Sequence, residues 1–192
     1  MRSLVILLAT GALAACSVPG LSGPEVPPSL TTLASSAPEA NENSVVRSEA
    51  VSFALPLLPQ AYNTNRVAAI EGGTAIAYIE GLMLVDRPDR LFQQLVSETV
   101  YRRTDLLVID PRQAAGTDRL NVTGTLYRFD YDGDRGEVVV GYEAMWSDGE
   151  QVATRRFEAS AGAAPSAASV STALNRAAND VAEEVAAWIS GS

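Results

Sequence analysis

The chain has 192 residues, of which 47% are hydrophobic and 19% charged, a composition typical of a folded globular domain. Its formal charge is −9, and all 14 basic residues are Arg, because the sequence contains neither Lys nor His. This acidic balance argues against nucleic-acid binding, which needs a basic surface to replace phosphate counterions. The missing His and Lys exclude a Ser/His/Asp triad, a Cys/His pair, a His-ligated zinc and a Ser/Lys dyad.

The N-terminus has the features of a bacterial export signal. Arg2 provides a basic start, and residues 4–9 form an apolar run much shorter than the ~20 residues that span a bilayer as a helix. Residues 13–16, Leu-Ala-Ala-Cys, are typical of the lipobox of lipoprotein precursors, in which the Cys is acylated and the peptide is cut before it. We therefore predict a signal peptide over residues 1–15 and a lipid anchor on Cys16, rather than an ordinary signal with a chance Cys. Since Cys16 is the only Cys, disulfides are excluded.

The mature chain divides into two parts. Residues 16–48 are rich in Pro, Ser, Ala and Asn and show no helical or strand period, which predicts a disordered tether behind the lipidated Cys. Residues 49–192 are expected to form one domain. Ser17 follows the Cys where an Asp tends to retain such lipoproteins in the inner membrane, so we expect anchoring in the outer membrane, facing the periplasm.

Apolar periodicity and turn signals predict the elements of this domain in order. The expected strands are Val51–Leu55, Arg66–Ile70, Ala75–Tyr78, Leu106–Ile109, Leu120–Tyr131, Glu137–Trp146 and Gln151–Ala159. The expected helices are Pro88–Arg103 and Ser166–Ile189, each with an apolar stripe at steps of three and four. This order predicts an α+β fold: a mixed or antiparallel sheet that ends in a three-stranded meander, with two helices packed on one face.

Four acidic residues surround the turn between the two long strands: Asp130, Asp132, Asp134 and Glu137. Their number suggests a calcium loop, but Arg135 stands where an EF-hand loop needs Gly, and Gly141 stands where it needs the bidentate Glu. We therefore interpret the cluster as a solvated hairpin tip whose Asp and Gly residues serve turn geometry. No metal and no cofactor is expected.

Both faces of the predicted strand Leu120–Tyr131 carry apolar bulk. Tyr127, Phe129 and Tyr131 alternate on one face, and Val122, Gly124 and Leu126 take the other. Since helices are expected on one side only, the three aromatic residues form either a thick aromatic rim or an interface with a partner or a second copy, where Tyr and Phe are enriched. The sequence leaves both interpretations open.

The order of motifs resembles the ABC-type transport auxiliary lipoprotein family. After the lipobox and a Pro-rich segment come a Leu-Pro strand, the short strand Arg66–Ile70, Tyr78 and a helix rich in Leu and Gln. The stretches Leu120–Phe129 and Arg155–Ala159 follow, and the chain closes with Ala173–Ala177 and Trp188. The likeness covers nearly the whole mature domain without a catalytic motif. Many relatives have a Trp shortly before the first helix, where this chain has Leu-Met-Leu-Val at residues 82–85.

The resemblance implies a non-catalytic role. It implies a periplasm-facing lipoprotein that binds the periplasmic subunit of an MCE-type ABC transporter, which moves phospholipids or other hydrophobic molecules between the membranes. The alternative is an outer-membrane lipoprotein that activates a peptidoglycan synthase, since such proteins share a long tether and a small α+β domain. An enzyme based on carboxylates is a third class, but no pair of acids has a spacing that points to one.

We predict that Cys16 is the mature N-terminus and carries the acyl chains. Mass spectrometry of protein extracted from native membranes should find the lipid on Cys16, and Cys16→Ser should release or stall the protein because one attachment site holds the whole anchor. Recovery of an intact, unacylated Met1 from the membrane fraction would contradict this prediction.

Overall fold

The computed structural model describes residues 29–39, 49–112 and 119–191. Its strands are β1 (Ala50–Phe53), β2 (Arg66–Glu71), β3 (Ala75–Met83), β4 (Leu107–Val108), β5 (Arg119–Asp132), β6 (Glu137–Ser147) and β7 (Val152–Gly162). Its helices are α1 (Pro88–Arg103) and α2 (Ala167–Ile189), with a short 3₁₀ turn at Gln60–Tyr62. The predicted α+β class, with its C-terminal meander and helices packed on the sheet, is confirmed. In the described part of the chain neither helix has the length and apolarity needed to cross a bilayer.

The long strand β5 is the centre of the sheet. On one side β6 pairs with it antiparallel along most of its length, and β7 pairs with β6 to complete the meander. On the other side β1 runs parallel to the first residues of β5, and β2 runs parallel to its last residues. A bridge between Leu57 and Thr125 lies between these two pairings. Strands β4 and β3 pair with β1 and β2 respectively, so the sheet is mixed.

Helix α1 begins where the sequence predicts, because Pro88 occupies its first turn and needs no hydrogen-bond acceptor there. Asp89 is buried and forms an ion pair with Arg87 at this N-terminus. The buried face carries Leu91, Leu95, Val96 and Val100, with Phe92 beside them. The Phe92 ring lies 5.0 Å from the ring of Tyr142 on β6, which joins the helix to the sheet.

Helix α2 buries a stripe of Ala and larger aliphatic side chains against the sheet. The hydroxyl of Ser166 caps it by accepting a hydrogen bond from the amide of Ser169. Five residues at helical spacing are fully buried: Val170, Leu174, Ala177, Val181 and Val185. The ring of Trp188, near its end, lies 5.5 Å from the ring of Phe157 on β7. Both helices therefore cover the same face of the sheet.

Residues 29–39, which we call the strap, lie against the domain. They belong to the segment expected to be a disordered tether, so the structure differs from that expectation here. The Thr31 amide donates to the carbonyl of Met83 at 2.8 Å, and the Val85 amide donates to the Thr31 carbonyl at 2.9 Å. Ala37 is buried and Leu33 packs against the core.

Polar side chains of both helices hold the strap. On α2, Asn179 Oδ1 accepts from the Ser36 amide at 2.7 Å, and its Nδ2 donates to the Ala34 carbonyl at 2.9 Å. Asn175 Oδ1 accepts from the Ala34 amide at 2.8 Å. On α1, a guanidinium nitrogen of Arg102 donates to the Ala37 carbonyl at 2.9 Å. The backbone of the strap thus finds partners in side chains more than 60 residues away, which explains why no local pattern reveals it.

We predict that Asn179→Ala loosens the strap. The substitution leaves the Ser36 amide and the Ala34 carbonyl without their partners, at about 1–3 kcal/mol for a buried polar group left unpaired. Limited proteolysis should then cut within residues 29–39 faster than in the unchanged protein. Asn175→Ala is the matched control, since it removes a single bond at an exposed position and should have the smaller effect. Equal resistance of all three proteins would contradict the role given to Asn179.

Candidate functional site

The candidate site residues of the sequence fall in two places. Cys16 and the expected signal peptide lie outside the described residues. Tyr127, Phe129 and Tyr131 all lie on β5, the central strand, but they do not share one face.

A β-bulge separates the three aromatic residues. The pairing of β5 with β6 shifts between Leu126 and Arg128, so Tyr127 is an extra residue opposite Gly141. Such a bulge places two consecutive side chains on the same side of the strand and reverses the alternation beyond it. Tyr127 and Arg128 therefore both lie on the face without helices, which we call the outer face. Phe129 and Tyr131 return to the face that carries the helices.

The expectation of one aromatic surface is corrected by this bulge. Phe129 is 1% exposed and Tyr131 is 5% exposed, and both belong to the hydrophobic core. The Tyr131 hydroxyl donates to the Ala163 carbonyl at 3.3 Å. If the side chains of β5 alternated without interruption, the rings of Phe129 and Tyr131 would lie on the face away from the helices. The extra residue in the bulge shifts the alternation, so both rings lie beneath the helices. Of the three residues, Tyr127 alone reaches the outer surface.

Tyr127 is the centre of a polar and aromatic patch, which we call the Tyr127 surface: Tyr127, Glu143, Arg156 and Glu158. The Tyr127 ring lies flat over Gly141, where an added Cβ would come within 2.5 Å of it. The Arg156 guanidinium lies over the other side of the ring, 4.8 Å from its centroid, and Arg156 Nε donates to Glu143 at 3.0 Å. The Tyr127 hydroxyl donates to Glu158 Oε2 at 3.1 Å. The ring is thereby fixed while its edge remains accessible to solvent.

This environment favours the neutral phenol. Burial against the strand, followed by the hydrogen bond to Glu158, raises the pKa of Tyr127 to about 12. At physiological pH the hydroxyl is therefore a hydrogen-bond donor with an apolar ring, the combination that makes Tyr frequent in protein interfaces. Exposed apolar side chains lie nearby on the same face, because Leu57 pairs with Thr125 and Met145 pairs with Thr123.

A buried ion pair lies next to this surface. Asp130 is fully buried, and Arg128 Nη2 lies 2.6 Å from its Oδ2. The Tyr62 hydroxyl donates to Asp130 Oδ1 at 2.8 Å, so the 3₁₀ turn is held onto the outer face. Burial and this bond raise the pKa of Tyr62, and the bond to Asp130 raises the pKa of Arg128. Asp130 is thus a structural anchor and not part of a solvated hairpin tip.

Of the other acidic residues in the predicted cluster, Asp132 stabilises the turn itself, whereas Asp134 and Glu137 bind neighbouring elements. Asp132 Oδ1 accepts from the Arg135 amide at 3.1 Å, and Asp134 Oδ1 accepts from the Gly72 amide at 3.1 Å. Glu137 accepts from the Ser160 hydroxyl at 2.9 Å. Over residues 29–39, 49–112 and 119–191, no three His, Cys, Asp or Glu side chains are grouped as a metal ion would require.

Sequence reasoning missed two sets of residues. The pair Asn175 and Asn179 on α2 had a signal, because two Asn one turn apart on an Ala-rich helix need polar partners. No sequence signal indicates the hydrogen bond between Tyr62 and Asp130, since the two residues are 68 positions apart in the chain.

Solved structures share this fold. The DUF330 protein XCC0632 from Xanthomonas campestris has a TM-score of 0.72 at 14% identity, over 84% of this chain and 94% of that one. An uncharacterised protein has a TM-score of 0.66 at 14% identity, over 84% and 100% of the two chains. The hypothetical protein CT253 from Chlamydia trachomatis has a TM-score of 0.53 at 12% identity, over 74% and 96%. No protein-family model and no curated protein matches the sequence. At these identities the likeness is one of fold, and none of the three names states an activity.

We predict that Phe129→Ala costs about 3–5 kcal/mol of unfolding free energy, because it removes a buried ring and leaves a cavity under the helices. Tyr127→Ala should cost markedly less, since that ring is partly in solvent. Urea denaturation of both variants compares the two values directly. A larger loss for Tyr127→Ala than for Phe129→Ala would contradict the assignment of faces.

Proposed function

We propose that the chain is a lipid-anchored, periplasm-facing accessory component of an MCE-associated ABC-type system for lipid transport between membranes. It acts by binding a periplasmic subunit of that system and has no catalytic role. The observation that carries the proposal is the lipobox at residues 13–16 in front of a domain whose motifs follow the order of the auxiliary lipoprotein family. The fold shared with the DUF330 protein supports it, since that protein is similar over 94% of its own length.

The Tyr127 surface is the region proposed to bind the partner. It presents an immobilised aromatic ring, two carboxylates and a guanidinium on a sheet face that the helices leave open. Interface energy is concentrated in Tyr, Trp and Arg anchors surrounded by near-neutral contacts. Leu57 and Met145 add exposed apolar area beside the ring, which suits a contact that excludes water.

Capture of the partner from native membranes tests the proposal. The full chain with a C-terminal affinity tag should retain the MCE-type periplasmic subunit after mild detergent extraction. Tyr127→Ala should reduce the retained amount at least about tenfold, as expected for an aromatic hot spot. Tyr101→Ala is the matched control, because Tyr101 is a partly exposed Tyr on α1, an element of the other face.

Three outcomes would overturn parts of the proposal. Retention of a peptidoglycan synthase instead of a transporter subunit would favour the alternative function. Equal retention by Tyr127→Ala and the unchanged chain would remove the Tyr127 surface from the interface. Loss of outer-membrane barrier function in Glu143→Gln, with capture of the subunit unchanged, would favour a chemical role for a carboxylate.

A further inference from the structure

Strand β7 is a long, open edge of the sheet. It has 11 residues and, among residues 29–39, 49–112 and 119–191, pairs with β6 alone. Every second residue from Val152 to Gly162 is exposed, while Phe157 and Ala161 point into the core. An edge of this length presents a row of backbone donors and acceptors that can pair with another strand.

The direction of the backbone groups follows from the β6–β7 register. The Ala163 amide donates to the Gly136 carbonyl at one end, and the Asp148 amide donates to the Gln151 carbonyl at the other. Because hydrogen-bonded and non-bonded pairs alternate in an antiparallel ladder, the odd-numbered residues of β7 bond to β6. The even-numbered residues direct their N–H and C=O groups to the open edge. None of these groups has a hydrogen-bond partner within the described part of the chain.

The side chains at this edge are self-complementary. Arg156 and Glu158 flank Phe157 and both lie on the outer face. In an antiparallel pairing of two copies of β7 with the two-fold axis at Phe157, Arg156 of one copy lies opposite Glu158 of the other, twice. This register also places even-numbered residues of one copy opposite even-numbered residues of the other. Hydrogen bonding between the two open edges requires this, because only the even-numbered residues direct their backbone groups to the edge.

The charges of Arg156 and Glu158 favour this register over the registers in which the two-fold axis is shifted by one residue. Moving the axis by one residue puts either Arg156 opposite Arg156 or Glu158 opposite Glu158, and like charges directly opposite are destabilising. Glu158 accepts the Tyr127 hydroxyl but makes no ion pair within the described residues, so its carboxylate is available to a second copy. Arg156 already bonds Glu143 and would lie between two carboxylates.

We propose that two copies of this chain associate through β7, in antiparallel register about Phe157, to form one continuous sheet. The pairing adds about ten backbone hydrogen bonds and two reciprocal ion pairs between Arg156 and Glu158. It extends the Tyr127 surface across the two-fold axis, so the dimer presents two such surfaces side by side. The inference does not depend on the lipid-transport role, since the dimer would persist even if no transporter subunit bound.

Reversal of the charges provides the test. The full chain is extracted in detergent and its mass is followed by native mass spectrometry over a range of protein concentrations. Arg156→Glu and Glu158→Arg should each weaken the dimer about tenfold, because two attractive pairs become repulsive. The double variant, Arg156→Glu with Glu158→Arg, should restore the dimer to within about threefold, since the pairs are reversed but complete.

Two further variants distinguish an effect on pairing at the β7 edge from an effect on folding of the single chain. Thr154→Pro removes a donor that points to the open edge, so it should weaken the dimer while the β6–β7 ladder stays intact. Glu143→Gln removes the charge that competes for Arg156 within one copy, so the dimer should be at least as stable as that of the unchanged chain; a weaker dimer would contradict the pairing of Arg156 with Glu158. Thermal unfolding of each variant shows whether the monomer remains folded.

The proposal is overturned if the chain is monomeric at all concentrations tested. It is equally overturned if the double charge reversal fails to restore a dimer that the single reversals abolish, or if Thr154→Pro and both single reversals leave the dimer unchanged.

Discussion

The one-residue bulge in β5 decides which side chains of this protein meet the helices. Before the bulge Leu126 faces the core, and after it Phe129 faces the core, although two residues lie between them and regular alternation would allow an odd number only. Without the extra residue the rings of Phe129 and Tyr131 would lie on the open face, and the core beneath α1 and α2 would lose two large side chains. The same insertion places Tyr127 and Arg128 together on the outer face. The core and the outer surface therefore depend on a single irregularity in hydrogen bonding.

The two faces of the sheet are stabilised by different physics. On the helical face, small residues of α2 and large rings of the strands remove apolar area from water. Within the described residues no helix covers the outer face, although the 3₁₀ turn lies over part of it, and polar contacts hold the side chains there in place. Asp130, Arg128 and Tyr62 form a satisfied buried network, and the Tyr127 ring is held between Gly141 and Arg156. A buried carboxylate is costly unless paired in this way, which explains the ordered 3₁₀ turn above it. The outer face is rigid without being hidden, a useful condition for binding.

Local sequence patterns are sufficient to predict the helices and strands, but they do not reveal the bulge in β5 or the ordered strap. Pro88 and the apolar stripe of α1 marked that helix to the residue, and the Asp-Gly signals marked the turns of the meander. The faces of β5 were predicted from strict alternation, and a bulge violates that assumption without leaving a mark in composition. The strap was predicted as disordered because its Pro, Ser and Ala residues bury little by themselves. Its order comes from Asn179 and Arg102, side chains remote in sequence.

The strap also bears on the proposed lipid anchor, because it fixes where the N-terminal part of the chain meets the domain. With the lipid anchor on Cys16 and the whole segment to residue 48 extended, the domain could stand roughly 110 Å away, at up to ~3.5 Å per residue. Because residues 29–39 lie against the domain, only residues 17–28 would separate the proposed anchor on Cys16 from the domain, and their full length would limit the distance to about 40 Å. The attachment point is also fixed, at the end of β3 next to Val85. If Cys16 carries the proposed lipid, this fixed attachment point would hold the domain close to the bilayer, and a partner would then be met near the membrane surface.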